Sequence, residues 1–296
     1  MAPFFLQQFL EYLQKEKRYS EHTCLAYQID IQQFFDFLVI SSKEDLLEIS
    51  SLLIRGWMVD LIDNSYSNRS VNRKLSSLRS YFKWLKKEQI VQLNPMQKVQ
   101  GPKTEKRLPS FARTSDLSVE NLEEMFDDSF EGKRDKLVIE MFYQTGIRLN
   151  ELIHLKNADI EHDRIKVVGK RNKERIIPIS QKLFLLIEDY RNVLKLNNLD
   201  NELLFILKSG NKVYPKLVYR IINSYLGLVT NLDICSPHVL RHTFATHMLN
   251  NGAGLETLKD LLGHANLSAT QVYTHNSFKQ LTNIYSQAHP RGHKKK

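Results

Sequence analysis

Cysteine is nearly absent from this 296-residue chain. Cys24 and Cys235 are its only two, they lie far apart, and neither belongs to a paired-thiol motif. That usage argues against a disulfide scaffold and fits a reducing cytoplasm. No apolar run approaches the ~20 residues that span a bilayer, so no membrane helix is expected. The opening MAPFFLQQFLEYLQKEK is amphipathic but has no basic leader and no small-residue cleavage site, so it does not read as a secretory signal. Hydrophobic residues at 42% and charged residues at 25% rule out a wholly disordered chain. The length suits two domains.

Acidic residues are scarce in one place. The chain carries 42 Lys and Arg against 33 Asp and Glu, a net +9. From Tyr66 to Arg107 there are eleven basic residues and only two acidic ones, Glu88 and Glu105, so this segment alone accounts for the excess. A local surplus of this kind is the footprint of a polyanion such as nucleic acid, with a solvated surface the plainer alternative.

The first hundred residues read as helices. Phe5, Phe9, Tyr12 and Leu13 form one stripe, and Tyr27, Ile31, Phe34 and Leu38 form another after a possible Ser20 cap. Between Asn68 and Glu88, Val71, Leu75, Leu78, Phe82 and Leu85 step by fours and threes onto one face. Arg69, Arg73, Lys83 and Lys87 fall near the opposite pole, which predicts a basic face free to meet phosphates. Residues 94–113 hold three prolines, a glycine and no period. They read as a basic linker between an amino-terminal domain, 1–93, and a second domain, 114–296.

Beyond the linker, helices are expected at Leu117–Phe126 and Lys133–Tyr143. Ile165, Val167 and Val168, then Ile176, Ile177 and Ile179, flank GKRNKE and predict a β-hairpin with a lysine-rich turn. Leu203–Leu207 could add a third short strand, and the chain from Pro215 onward looks helical. The expected fold is mainly α with a small antiparallel β-sheet, an all-helical first domain and a mixed α/β second one.

The densest chemistry lies between Ser236 and His275. Pro237 suits a first helical turn and Gly252 a carboxyl-terminal cap. His238 and Arg241 are three apart and share a helix face. A short helix, Leu255–Leu262, ends at Gly263 and leaves His264 just past the turn; Ser268 can cap a third helix that brings in Tyr273. Five histidines in this region invite a metal reading, but no HExxH motif accompanies them and only one cysteine is near, so no metal site is expected.

This block resembles the carboxyl-terminal signature of the tyrosine recombinases, the lambda-integrase superfamily: His238-x-x-Arg241, then Gly263-His264, then Tyr273. TGIRLNEL supplies the family's earlier Arg as Arg148, with Glu151 following, and GKRNKER supplies its hairpin lysine as Lys170. The linker prolines, the near-terminal HPRG and the length are most similar to the bacterial Xer branch. Two departures are visible: Arg171 where the family usually has Gly, and Gly254 where Asp often begins the short helix.

The resemblance implies a core-binding domain, a catalytic domain and a set of roles. Arg148 and Arg241 would clamp the non-bridging phosphate oxygens. Tyr273 would attack the phosphorus, with His238 as general base, Lys170 as general acid and His264 as hydrogen-bond donor. No cofactor is implied: the 3′-phosphotyrosyl bond keeps the energy of the diester, and neither a P-loop nor a carboxylate cluster is present. Implied partners are double-stranded DNA bearing a recombination site, a tetramer of this chain alone or with a paralogue, and a DNA translocase of the FtsK type. The activity implied is recombination through a Holliday junction, in chromosome dimer resolution or as the integrase of a mobile element. A type IB topoisomerase shares the chemistry, and a non-catalytic DNA-binding protein on this scaffold would lack one of these residues.

Overall fold

The computed structural model describes residues 5–40, 42–104, 110–169, 174–263 and 275–292, with the backbone alone for 275–277. The chain divides into two compact units, Met1–Arg107 and Leu108–Lys296.

The amino-terminal unit is helical: α1 (Leu6–Lys15), α2 (Glu21–Leu38), α3 (Lys43–Leu47), α4 (Ser51–Asp63) and α5 (Asn68–Lys87). Serine starts four of the five. The hydroxyls of Ser20, Ser42, Ser50 and Ser67 each accept a first-turn backbone N–H, so local sequence sets where these helices begin. The predicted apolar face of α5 is buried throughout, with Val71, Leu75, Leu78, Phe82 and Leu85 all within the core. Aromatic rings from α1, α2 and α4 close over it, Phe9 edge-on to Tyr81 at 5.3 Å and Phe34 to Trp57 at 5.1 Å.

The opposite pole of α5 departs from the wheel. Arg73 folds onto α2, where both its terminal nitrogens donate to the carboxylate of Asp30. Asp30 is fully buried and also accepts from Lys74 at 3.2 Å and Ser77 at 2.8 Å. Lys87 lies over the Tyr12 ring and within 3.8 Å of Glu16 and Glu88. Arg69 and Lys83 are exposed, and Arg73 and Lys87, though paired, remain 52% and 58% exposed. A helical wheel places residues on a cylinder but cannot see a carboxylate on a neighbouring helix.

The expected linker is mostly absorbed into the two units. Met96 and Val99 are buried in the first, capped by Asn94, and Asn68, Asn72 and Arg79 donate to the carbonyls of Lys103, Pro102 and Val99. Ala112 is buried in the second, its N–H donating to Thr243. Backbone groups in an aperiodic stretch still need partners, and side chains of the adjoining helices supply them.

The second unit comprises α6 (Val119–Met125), α7 (Phe130–Thr145), α8 (Leu149–Ile153), the strands β1 (Arg164–Val168) and β2 (Glu174–Pro178), then α9 (Gln181–Leu196), α10 (Pro215–Val229), α11 (Pro237–Asn250), α12 (Leu255–Leu262) and α13 (His275–Ala288). Its centre is α7, buried on nearly every side and packed against α9 and α11. β1 and β2 form the predicted antiparallel hairpin, Ile165 opposite Ile177 and Val167 opposite Arg175. β2 packs against both α12 and α13, and Arg164 at the start of β1 stacks 4.2 Å over the Phe278 ring of α13.

Leu203–Leu207 does not extend the sheet. Leu204, Phe205 and Ile206 are buried, but the backbone turns back at Gly210 (φ +81°) and makes only isolated bridges, Leu203 to Lys156 and Ile206 to Lys212. An apolar run signals burial without saying which backbone will pair with it. Among the described residues no helix is long and apolar enough to cross a membrane.

Replacing Asp30 with Ala strands a buried ammonium, and is expected to destabilise the amino-terminal unit by about 3–5 kcal/mol. Both tryptophans, Trp57 and Trp84, lie in that unit, so denaturant unfolding followed by tryptophan fluorescence isolates it. A loss below about 1 kcal/mol, the scale of an exposed pair, would show the network to be peripheral.

Candidate active site

α11 begins with Ser236 capping the N–H of Val239 and Pro237 in the first turn, which sets the phase of the whole helix. That phase leaves His238 exposed and brings Arg241, three residues on, into a half-buried position on the same side. One nitrogen of Arg241 donates to the carbonyl of Gly146 and the other to that of Leu262, at 2.6 Å for the latter. Gly146 ends α7 with φ +59°, and an added Cβ there would sit 2.6 Å from the Phe244 ring, so only glycine closes this corner.

Arg148 stands two residues past that corner, at the amino-terminal cap of α8. Its guanidinium donates to Glu151 at 2.8 Å and to the carbonyl of Gly263 at 2.6 Å, while its own backbone N–H is held by the second oxygen of Glu151. Arg148 and Arg241 are thereby pinned to adjacent carbonyls, those of residues 263 and 262. The salt bridge to Glu151 leaves the side chain of Arg148 29% exposed.

A third guanidinium completes the group, one that the motif pattern does not include. Arg175 of β2, only 5% exposed, donates through Nε to the carbonyl of Leu261 and through both terminal nitrogens to Glu151 at 2.7 and 2.8 Å. Strand alternation carries the signal: Arg175 shares the inward face with Ile177, and a charge at a core position needs a partner. The last two residues of α12 and its glycine cap thus offer consecutive carbonyls, 261, 262 and 263, to three different arginines. Gly263 (φ +64°) makes the turn, and an added Cβ would crowd Arg175 at 3.1 Å. Gly254 begins α12 with no side-chain cap, so the departure from Asp costs this helix an accepted N–H.

The electrostatics follow from crowding. Burial, and then the positive charges of Arg148 and Arg175, pull Arg241 down to about 9, still protonated at neutral pH. Burial alone would raise the Glu151 carboxyl, but the bonds from Arg175 and Arg148 overcome it and hold the pKa at about 2.

Lys170, His264 and Tyr273 lie outside the described residues. Tyr285, the other tyrosine of the carboxyl-terminal segment, is a core aromatic: fully buried, stacked on His289 at 5.2 Å, and with its hydroxyl pushed far up by burial. His247 is equally committed to the core. Its Nε2–H donates to the carbonyl of Ala112 and its Nδ1 accepts from the hydroxyl of Tyr143, at 3.0 and 3.2 Å. Among the described residues no three His, Cys, Asp or Glu side chains are grouped to hold a metal.

Residues 115–280 match the phage integrase family, and residues 6–89 match the phage integrase N-terminal SAM-like domain. The chain belongs to the phage integrase family of tyrosine recombinases. It is 37% identical over 295 residues to Tyrosine recombinase XerC of Thermodesulfovibrio yellowstonii, covering 97% of this chain and 96% of that protein. To Tyrosine recombinase XerC of Bacillus subtilis it is 36% identical over 302 residues, covering 98% of each. The recombinase shares its fold with the XerH site-specific recombinase bound to palindromic difH substrate in a post-cleavage complex. That likeness has a TM-score of 0.72 and 19% identity, over 95% of this chain and 83% of that one. As a tyrosine recombinase, the chain is an enzyme of site-specific DNA recombination.

A carboxyl depressed from 4.5 to about 2 stabilises the folded state fully above pH 4.5 and loses that contribution as pH falls through 2. For Glu151 this amounts to about 3 kcal/mol. Urea unfolding followed by circular dichroism across pH 2 to 5 should therefore show wild type losing its advantage over Glu151→Gln as the solution is acidified. A constant gap would mean the carboxylate is not held by the arginines.

Proposed function

We propose that this recombinase cleaves one strand of its DNA site by attack of the Tyr273 hydroxyl on the phosphorus, forming a 3′-phosphotyrosyl bond as the bond to the 5′ oxygen breaks. The observation that carries the reading is the pair of guanidiniums, Arg148 and Arg241, fixed on adjacent carbonyls with exposed His238 one turn from Arg241. Two planar forks held this way suit the two non-bridging oxygens of one phosphodiester. They also supply positive charge where the five-coordinate phosphorus develops negative charge. His238 would take the tyrosine proton, Lys170 would protonate the leaving 5′ oxygen and His264 would donate to a non-bridging oxygen. The covalent bond conserves the energy of the diester, so reversal by a second 5′ hydroxyl needs no nucleotide.

The similarity to proteins named XerC supports the finer reading. Four protomers, all of this chain or two with a paralogue, pair two duplexes and exchange strands through a Holliday junction. In that role the enzyme resolves chromosome dimers, with a DNA translocase of the FtsK type as activator. The amino-terminal unit would hold the site, with Arg69 and Lys83 on phosphates and Arg73, braced by Asp30, beside them.

On a nicked suicide substrate, wild type should accumulate a protein–DNA adduct on denaturing gels. Tyr273→Phe should bind the same site and form none, because it keeps the ring and removes only the attacking oxygen. An undiminished adduct would overturn the assignment.

Arg69→Ala with Lys83→Ala should leave the unit folded and flatten the log–log dependence of binding on salt by about 1 for each phosphate no longer neutralised. A slope equal to wild type in a folded protein would mean that this face of α5 points away from DNA.

A further inference from the structure

Arg175 has three of its donors accounted for, and all three converge on its immediate surroundings: both oxygens of Glu151 and the carbonyl of Leu261. Glu151 is nine-tenths buried, and one of its oxygens is shared between Arg175 and Arg148. A buried carboxylate must be compensated in full. If Arg148 were its only partner, the compensating charge would have to come from the guanidinium that faces the scissile phosphate. The bidentate pair with Arg175 supplies it instead, from the interior side. Arg148 is then left cationic, partly exposed and anchored.

We propose that Arg175 is a positioning residue for strand cleavage: by neutralising Glu151 and tying the end of α12, it leaves the charge of Arg148 available to the phosphate. The role rests on the reading of Arg148 as a phosphate clamp. It also makes the hairpin a brace, since β2 thereby holds both α8 and α12. Arg175 is only 5% exposed and donates inward, to Glu151 and to the carbonyl of Leu261.

The test uses the full chain and four proteins: wild type, Arg175→Met, Glu151→Gln and the double variant. Adduct formation on the nicked suicide substrate is timed at saturating DNA, with gel shift for site binding and thermal melts for folding. Arg175→Met should bind the site and form adduct at least ~100-fold more slowly, the scale of a misplaced catalytic group. In the double variant the buried charge is gone and Arg148 is released, so the rate should recover by at least about tenfold over Arg175→Met, a coupling usual between contacting residues.

A merely structural role for Arg175 makes the opposite prediction, a double variant at least as slow as either single one, and that result overturns the proposal. If Arg175→Met does not fold, Arg175→Lys takes its place, keeping a charge without the fork; a wild-type rate in that variant also overturns it. Wild type that forms no adduct at all sinks the proposed cleavage by Tyr273 in the Arg148–Arg241 clamp, whereas an active wild type with no recovery in the double variant refutes only the positioning role.

Discussion

One buried carboxylate serves a cluster of three guanidiniums, and the geometry of the second unit is arranged around that imbalance. Glu151 pairs with Arg175 through both oxygens and with Arg148 through one, while Arg241 has backbone carbonyls in its place. Bringing like charges together at low exposure is unfavourable, and a single carboxylate does not cancel three of them. The remainder falls to dipoles. α7 and α12 both aim their carboxyl-terminal ends at the cluster, and each helix end carries about half a negative charge on its unsatisfied carbonyls. Four of those carbonyls, from residues 146, 261, 262 and 263, accept hydrogen bonds from arginine.

That solution constrains backbone as well as charge. A helix can offer its last carbonyls sideways only if the chain leaves the axis at once, and a left-handed residue is the shortest way to do so. Gly146 and Gly263 take that conformation; a side chain at the first would collide with Phe244, and one at the second would crowd Arg175. The turn after α12 leads directly to His264 in the sequence. The same carbonyls that hold the arginines therefore also fix Gly263, the residue before His264 in the sequence.

Much of this is legible in the sequence where one local rule decides the outcome. The spacing of Val71, Leu75, Leu78, Phe82 and Leu85 predicts α5 and its buried face, and the alternation around GKRNKE predicts the hairpin. Ser20 and Gly263 mark helix ends that the fold keeps. What local rules leave out shares a cause, since each case depends on a partner distant in sequence. Arg73 lies on the polar side of its wheel but finds Asp30, 43 residues away. The apolar run at Leu203–Leu207 is buried without joining the sheet. Three carbonyls of the expected linker, those of Val99, Pro102 and Lys103, accept from Arg79, Asn72 and Asn68. Arg175 is the most instructive case: its inward strand position is visible, but the surrounding lysines make it read as one more solvated charge.

The residual positive charge has a consequence for the order of events. In the free protein Arg241 is pulled down by burial and by its two cationic neighbours, so part of the folding free energy goes into holding the cluster together. On the proposed reading, a phosphodiester bound between Arg148 and Arg241 would bring the missing negative charge and relieve that repulsion. Binding to the folded cluster alone then stabilises it by mass action. That relief would grow as the phosphorus becomes five-coordinate and its oxygens gain charge, so the proposed clamp would favour the transition state over the bound ground state. A fully compensated cluster, with a carboxylate for every arginine, would be more stable and would bind the reacting phosphate less well. On the proposed reading, the shortage of acidic partners for these arginines among the described residues is what would let the site act as a clamp and not only as a salt bridge.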